Sequence, residues 1–297
     1  MNKEHVKQLI ERHRPEAGLV ETALKGVHLF RVTESIPCVP TVYEPTVVAI
    51  VNGEKEALLN GHRHVFDSSR YVMCPMTMPV EAGTPQASPE NPLIGVMISL
   101  DARVMRELAL EMENVTGVHR KTGGARPPQG LALAVWDTGF TQALFRLLEL
   151  LANPMDLAVL GPGRLRELYY AVLQGEAGTV ANRAFGVGNE IARTIDYLST
   201  RLNEPVTIDD MASQVGMSRA VFHRRFKEAT TMSPIQFVKS MRLNNAAMQI
   251  AAGKTVSEAA MGVGYASSSQ FSREFKRMYG QSPRQWSHDA QIPVGVM

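Results

Sequence analysis

The strongest constraint on this 297-residue chain is an internal repeat near its C-terminal end. Residues 206–237 align with residues 254–286. Val215-Gly216 matches Val263-Gly264 at an offset of 48. Phe222, Arg224, Phe226, Lys227, Ser233, Pro234 and Gln236 match Phe271, Arg273, Phe275, Lys276, Ser282, Pro283 and Gln285 at an offset of 49. Trp286 stands where Phe237 would repeat. The slip of one residue falls in a turn, where insertions are tolerated.

Each copy has the same local grammar. Thr207-x-x-Asp210 and Thr255-x-x-Glu258 read as capping boxes, in which hydroxyl and carboxylate satisfy free N–H groups at a helix start. A short helix follows (209–215 and 257–263) and stops at Gly216 or Gly264, which tolerate positive φ. Ser218 and Ser267 cap a second helix whose Phe222/Phe226 and Phe271/Phe275 turn inward at i, i+4. Ser233-Pro234 and Ser282-Pro283 open a further helix, with proline at its first position.

Helix, glycine turn and capped helix make a helix-turn-helix, a unit that lays its second helix in the DNA major groove. The outward face of that helix is Arg219, Ala220, His223 and Arg224 in the first copy. In the second it is Ser268, Ser269, Ser272 and Arg273. These are the candidate base contacts, led by Arg224 and Arg273, because arginine can donate two bonds to guanine. Ser218, Lys227, Ser267 and Lys276 are the candidate phosphate contacts. Charge agrees with this division: residues 1–188 carry a net −2 and residues 189–297 a net +4. The alternative for one such pattern is a plain helical bundle with arginine on its solvated face; two copies in the basic third argue against it.

Before the repeat the texture changes. Residues 2–13 predict a short amphipathic helix. From about 17 to 100, apolar runs such as Val47–Val51 alternate with turn signals at Asn52-Gly53, Asn60-Gly61, Asp67-Ser68-Ser69 and Glu81-Ala82-Gly83. This spacing predicts a sandwich or small barrel. Helices are expected from Asp101 to about Glu113, from Thr138 to Ala152 and from about Gly163 to Leu173, with a loop over 117–130. The last two helices either seal the β domain or form a dimer seam. The resulting division is an N-terminal domain over 1–175, a Gly/Ala-rich linker over 176–188, and a domain over 189–297 with helix-turn-helix units at about 208–229 and 256–279.

The repeat resembles the AraC/XylS family of bacterial transcription regulators. The resemblance rests on Met217-Ser218-Arg219, Phe222 through Lys227, Ser233 through Phe237, Arg242-Leu243, Val263 through Arg277, and Gly280-Gln281-Ser282-Pro283. It implies two helix-turn-helix units joined by a long helix over about 234–252, with both recognition helices in successive major-groove turns on one DNA face. The N-terminal part resembles the AraC-type N-terminal domain through Val42 to Pro45, Val51 to Lys55, Tyr71, Met78-Pro79-Val80, Pro154 to Asp156, Leu160 to Pro162 and Arg166 to Leu173. That implies a cupin-like β domain that senses a small molecule, and helices that can dimerise. The expected fold is therefore α+β in two domains: a cupin-like sandwich or barrel with flanking helices, then an all-α double helix-turn-helix.

Cys38, Tyr43 and Met73 are the candidate effector contacts. Cys38 and Cys74 are alternatively sensor thiols, a role that needs a lowered pKa. His62-x-His64 is half of a cupin metal site, but no Glu and third His follow at the usual spacing, so no metal or cofactor is expected. Two rival functions are compatible with such a chain: a DNA-tethered cupin enzyme using those histidines, and a protein-binding adaptor using helices 138–173. No nucleophile–base motif appears, so no catalysis is expected. The polar start MNKEHVKQLIERHRPEAG lacks the apolar core of an export signal, and no apolar run reaches the roughly 18 residues of a membrane span. The expected setting is the cytoplasm. The expected partners are operator DNA, a small effector, a second copy through helices 138–173, and RNA polymerase.

Overall fold

The computed structural model describes residues 3–13, 16–116, 130–186 and 189–289. The loop expected at 117–130 lies outside these residues except for Gly130. Helix α1 (Lys3–His13) buries Val6 and Ile10. Nine strands follow: β1 (Gly18–Glu21), β2 (Val27–Val32), β3 (Ile36–Tyr43), β4 (Thr46–Asn52), β5 (Glu54–Leu59), β6 (His62–Asp67), β7 (Arg70–Cys74), β8 (Met78–Thr84) and β9 (Leu93–Ser99). After α2 (Ala102–Thr116), strand β10 (Ala132–Val135) returns to the sheet.

The strands form two sheets, in the orders β1-β2-β9-β4-β7-β10 and β3-β8-β5-β6. The result is an open sandwich; no closed barrel forms among the described residues. Asn60 and Gly61 both have positive φ (49° and 77°), as a two-residue hairpin turn requires, and they set Leu59 opposite His62. Glu81-Ala82-Gly83 is not a turn but lies inside β8. Gly83 sits where β3 bulges: a Cβ there would lie 2.6 Å from the backbone of Ile36 and Pro37. The glycine marks a close backbone approach within the sheet, and sequence alone does not separate that from a turn.

The outer face of the six-stranded sheet is sealed by helices. α3 (Thr138–Glu149) buries Phe140, Ala143, Leu144, Leu147 and Leu148, and Phe140 stacks on Tyr71 with ring centroids 3.9 Å apart. A single 3-10 turn over Leu150–Ala152 leads to α4 (Pro154–Gln174). This helix begins nine residues before the expected Gly163. Asn153 caps it, accepting from the Met155 and Asp156 amides, and Pro162 lies within it. Proline is tolerated because Pro162 and Ala158, whose carbonyl loses its partner, are both exposed to water. Thus α3 performs the sealing, while α4 leaves Met155 and Val159 exposed, at 71% and 69%.

The stretch read as a linker also holds structure. Helix α5 (Gly178–Phe185) buries Ala181, Ala184 and Phe185, a stripe at i, i+3, i+4 that packs on α4 and α2. The remaining helices are α6 (Glu190–Ser199), α7 (Ile208–Gln214), α8 (Arg219–Thr230), α9 (Pro234–Ala251), α10 (Val256–Gly262), α11 (Ser268–Tyr279) and α12 (Pro283–Asp289). Among the described residues, no helix is long and apolar enough to cross a membrane.

Candidate nucleic-acid interface

The repeat is structurally literal. In the first unit Thr207 Oγ1 accepts from the Asp210 amide (3.1 Å) and the Asp210 carboxylate accepts from the Thr207 amide (3.3 Å). In the second, Thr255 and Glu258 make the same exchange at 3.2 and 3.0 Å. The turns close alike: the Met217 amide donates to the Ala212 carbonyl and the Tyr265 amide to the Ala260 carbonyl, both at 3.0 Å. Ser218 and Ser267 then cap α8 and α11, accepting from the Val221 and Gln270 amides. The repeated Gln236 and Gln285 complete two more capping boxes, with Ser233 and Ser282.

Each recognition helix is pinned by aromatics on its inner side. Phe222 and Phe226 are fully buried, and Phe226 meets Phe237 edge-on at 5.3 Å. Phe271 and Phe275 are likewise buried, and Phe275 meets Trp286 at 6.0 Å. Trp286 donates its indole N–H to the Ala247 carbonyl of α9 (3.2 Å). Arg242 on α9 donates to the Leu202 and Glu204 carbonyls, fixing the segment that leads into α7 (2.8 Å each).

With the inner sides fixed, the outward sides follow from helical period. Ser218, Arg219, Ala220, His223, Arg224 and Lys227 are all exposed on α8. So are Ser267, Ser268, Ser269, Arg273 and Lys276 on α11, while Ser272 is half-buried. Arg219 has Asp209 at 3.5 Å and Arg224 has Glu228 at 4.0 Å. Such exposed pairs are worth little and give way readily to a phosphate or base edge. Arg225 and Gln270 share these exposed surfaces and were missed as candidates; Arg225 was signalled only by its position beside Arg224.

Glu274 has a different job. It takes Lys239 Nζ (2.9 Å), the Tyr265 hydroxyl (2.9 Å) and Gln270 Nε2 (3.3 Å). Burial opposes its ionisation, but these donors hold the carboxyl below its ordinary range. The knot fixes α11 against α9 and the turn.

The candidate effector residues lie apart from this surface. Tyr71 points toward α3, so Val72 and Cys74 point toward the other sheet, and Met73 points with Tyr71 toward the helices. The register carries Val48, Met97 and His28 onto the same inner side as Val72. Val48, Met97 and His28 are only half-buried there, and His28 Nδ1 has no hydrogen-bond partner among the described residues. From the facing sheet, Lys55 Nζ lies 5.3 Å over the Tyr43 ring. Lys55 has no carboxylate partner among the described residues, and burial lowers its ammonium pKa to about 8.

Neither cysteine is activated. Burial first, then the charges of Glu56 and Glu81, raise the Cys38 thiol, and burial pushes Cys74 up to about 12. His62 is exposed and His64 stacks on Phe66 with centroids 6.4 Å apart.

The comparisons with known proteins agree with this architecture. Residues 23–180 match the AraC-type transcriptional regulator N-terminus, and residues 211–289 match a helix-turn-helix domain. The chain is 37% identical over 101 residues to the HTH-type transcriptional regulator MtrA of Neisseria gonorrhoeae, covering 34% of this chain and 32% of that one. It is 27% identical over 99 residues to the regulatory protein SoxS of Salmonella typhimurium, covering 33% of this chain and 92% of that one. The match to the putative HTH-type transcriptional regulator YkgA of Escherichia coli spans 41% of that protein, so the likeness to MtrA and YkgA covers under half of either. In fold, the chain resembles ToxT of Vibrio cholerae, with a TM-score of 0.54 at 10% identity over 90% of this chain and 98% of ToxT. With its N-terminal sandwich and its paired, capped helix-turn-helix units, this chain belongs to the AraC-type transcriptional regulators.

Proposed function

We propose that the chain is a cytoplasmic, effector-controlled switch that grips one operator with both helix-turn-helix units. The observation that carries this reading is the pair of capped helices, α8 and α11, each with a buried phenylalanine side and an exposed basic or small side. In the proposal α8 reads bases through Arg224, with Arg219, Ala220 and His223. α11 does so through Arg273, with Ser268, Ser269 and Ser272. Ser218, Lys227, Ser267 and Lys276 hold phosphates, their short or cationic side chains lying at the helix start and flank. The two helices occupy successive major-groove turns.

The effector is proposed to be an organic acid bound between the two sheets. Support comes from Lys55, a half-buried cation beside Tyr43 with no carboxylate partner among the described residues, and from the half-buried apolar Val48 and Met97 on the facing sheet. ToxT, whose fold this chain shares, has been crystallised with an unsaturated fatty acid and with a naphthalenyl butenoic acid. A second copy is proposed to cover Met155 and Val159 of α4, and RNA polymerase is the proposed partner at the promoter. No bond chemistry is invoked.

The experiment is selection of bound sites from random duplex DNA at stated salt. Two half-elements about one helical turn apart are expected. Salt-sensitive binding without any motif, with and without carboxylic acids present, would leave only phosphate contact and refute the reading.

A further inference from the structure

We infer that Asn244 is a positioning residue that couples the sensor sandwich to the second recognition helix. This inference rests on the reading of the chain as an effector-controlled DNA binder, and it names the route by which one half would report to the other.

Asn244 lies midway along α9 and is 1% exposed. Its amide nitrogen donates to the Thr41 carbonyl of β3 (2.7 Å) and to the Val80 carbonyl of β8 (2.8 Å). Its amide oxygen accepts from the Tyr279 hydroxyl at the end of α11 (2.7 Å). Both donor hydrogens and one acceptor site are thus committed, each to a different element. Thr41 and Val80 are paired across the β3–β8 ladder, so the amide grips both strands at one level.

The position of this bridge gives it meaning. Thr41 is two residues from Tyr43, whose ring lies under Lys55 between the sheets. Tyr279 is the last residue of α11, and its ring packs on Phe275, which pins that helix. One side chain therefore joins a strand of the proposed effector chamber to the helix proposed to read DNA. The two strand bonds are buried and the tyrosine bond is part-buried, so breaking either strand bond leaves a carbonyl unpaired with little water to replace it. A shift of β3 must be followed by α9 and α11 or the bridge must break, which is the two-arrangement element that coupling requires.

Linkage makes this testable without knowing the effector. If the state of the sandwich changes DNA affinity, then DNA must change the sandwich by the same factor. The probe is a duplex carrying a site selected by the full-length protein. The readout is amide hydrogen exchange in peptides spanning 36–43 and 78–84, with and without that duplex. In the wild type, DNA is expected to slow exchange there by roughly five-fold or more, the lower end of ordinary coupling. In Asn244→Leu and in Tyr279→Phe, DNA is still bound but the slowing falls to under about two-fold. Tyr279→Phe removes a single hydroxyl and leaves both strand bonds in place, so it serves if Asn244→Leu folds poorly. A merely structural role would change exchange equally with and without DNA. Full DNA-dependent slowing in Tyr279→Phe, or wild-type DNA binding with no slowing at β3 and β8, would overturn the inference while leaving the DNA-binding reading intact. Failure of the wild type to select any site would remove both.

Discussion

The two helix-turn-helix units share a sequence pattern and a capping scheme but differ in how they are attached. The core of the first unit, Phe222, Phe226, Phe237 and Met241, is continuous with the apolar core that runs through the sandwich and α2–α6. The second unit has its own core, built from Leu243, Ala246, Ile250, Phe271, Phe275 and Trp286. It meets the sandwich through Val39 at the edge strand and through the Asn244–Tyr279 bridge. Apolar continuity is non-directional and tolerates small slides, whereas a three-bond bridge has one geometry. The first unit thus shares the core of the sandwich, and the second is tied to the sandwich by a directional contact. The exposed sides differ in parallel: α8 presents four cationic residues, Arg219, Arg224, Arg225 and Lys227, where α11 presents Arg273, Lys276 and Arg277 behind its cap Ser267 and the first-turn Ser268 and Ser269.

Hollowing each core separates the two units most strongly. Phe226→Ala and Phe275→Ala should each cost about 3–5 kcal/mol. In urea, Phe226→Ala is expected to move the unfolding of the whole chain, because its core is shared. Phe275→Ala is expected to split off an early transition confined to the second unit. A single coincident transition for both variants would show the cores to be one.

The turns offer the next test. Gly216 and Gly264 both have positive φ, +63° and +86°, so alanine at either costs about 1–2 kcal/mol in backbone conformation. A Cβ at Gly216 meets nothing within 4 Å, whereas at Gly264 it would lie 2.9 Å from the Asn203 backbone. Gly264→Ala should therefore lower Tm clearly more than Gly216→Ala; equal shifts in a thermal melt would contradict the packing described.

On DNA, Arg224→Ala and Arg273→Ala should each cost about 1–3 kcal/mol of operator affinity and relax preference at one position. Binding titrations against single-base operator variants check this, and uniform loss on every sequence would reassign that arginine to phosphate.

The smallest effect belongs to the sandwich. Lys55 has a folded pKa of about 8, below its unfolded value of 10.5. The unfolded chain therefore binds more protons between those limits, and this group's contribution to stability rises with pH from about 8 to 10.5. Its penalty is fully present below pH 8. Lys55→Met should raise Tm most at pH 7 and little above the window, and should abolish stabilisation by carboxylic acids. Melts across pH with decanoate and decanol as probes report both effects.

What was legible in the sequence was what local chemistry decides. The capping boxes, the glycine turns and the Phe222/Phe226 and Phe271/Phe275 pairs are set within a few residues, and the structure repeats them bond for bond. Long-range pairing was not legible. β10 returns to β7 across α2, α4 runs through Pro162 because its freed carbonyl is wetted, and α5 forms in a Gly/Ala stretch because neighbouring helices bury its stripe. In the site, the outward arginines followed from helical period, whereas Asn244 reads as one polar residue in a long helix until its strand partners are known. Lys55 lies in the Asn-Gly-Glu-Lys run, but only the packing of the sheets reveals it as a half-buried cation beside Tyr43. Met73 was assigned without its strand parity, which turns it toward α3.

The most direct measurement is parallel site selection from random duplex DNA with wild-type protein, Arg224→Ala and Arg273→Ala. Two units reading one operator predict a wild-type motif with two half-elements about one helical turn apart. Each variant should then lose a different half and keep the other. Loss of the same half in both variants, or an unchanged motif in either, would contradict the account.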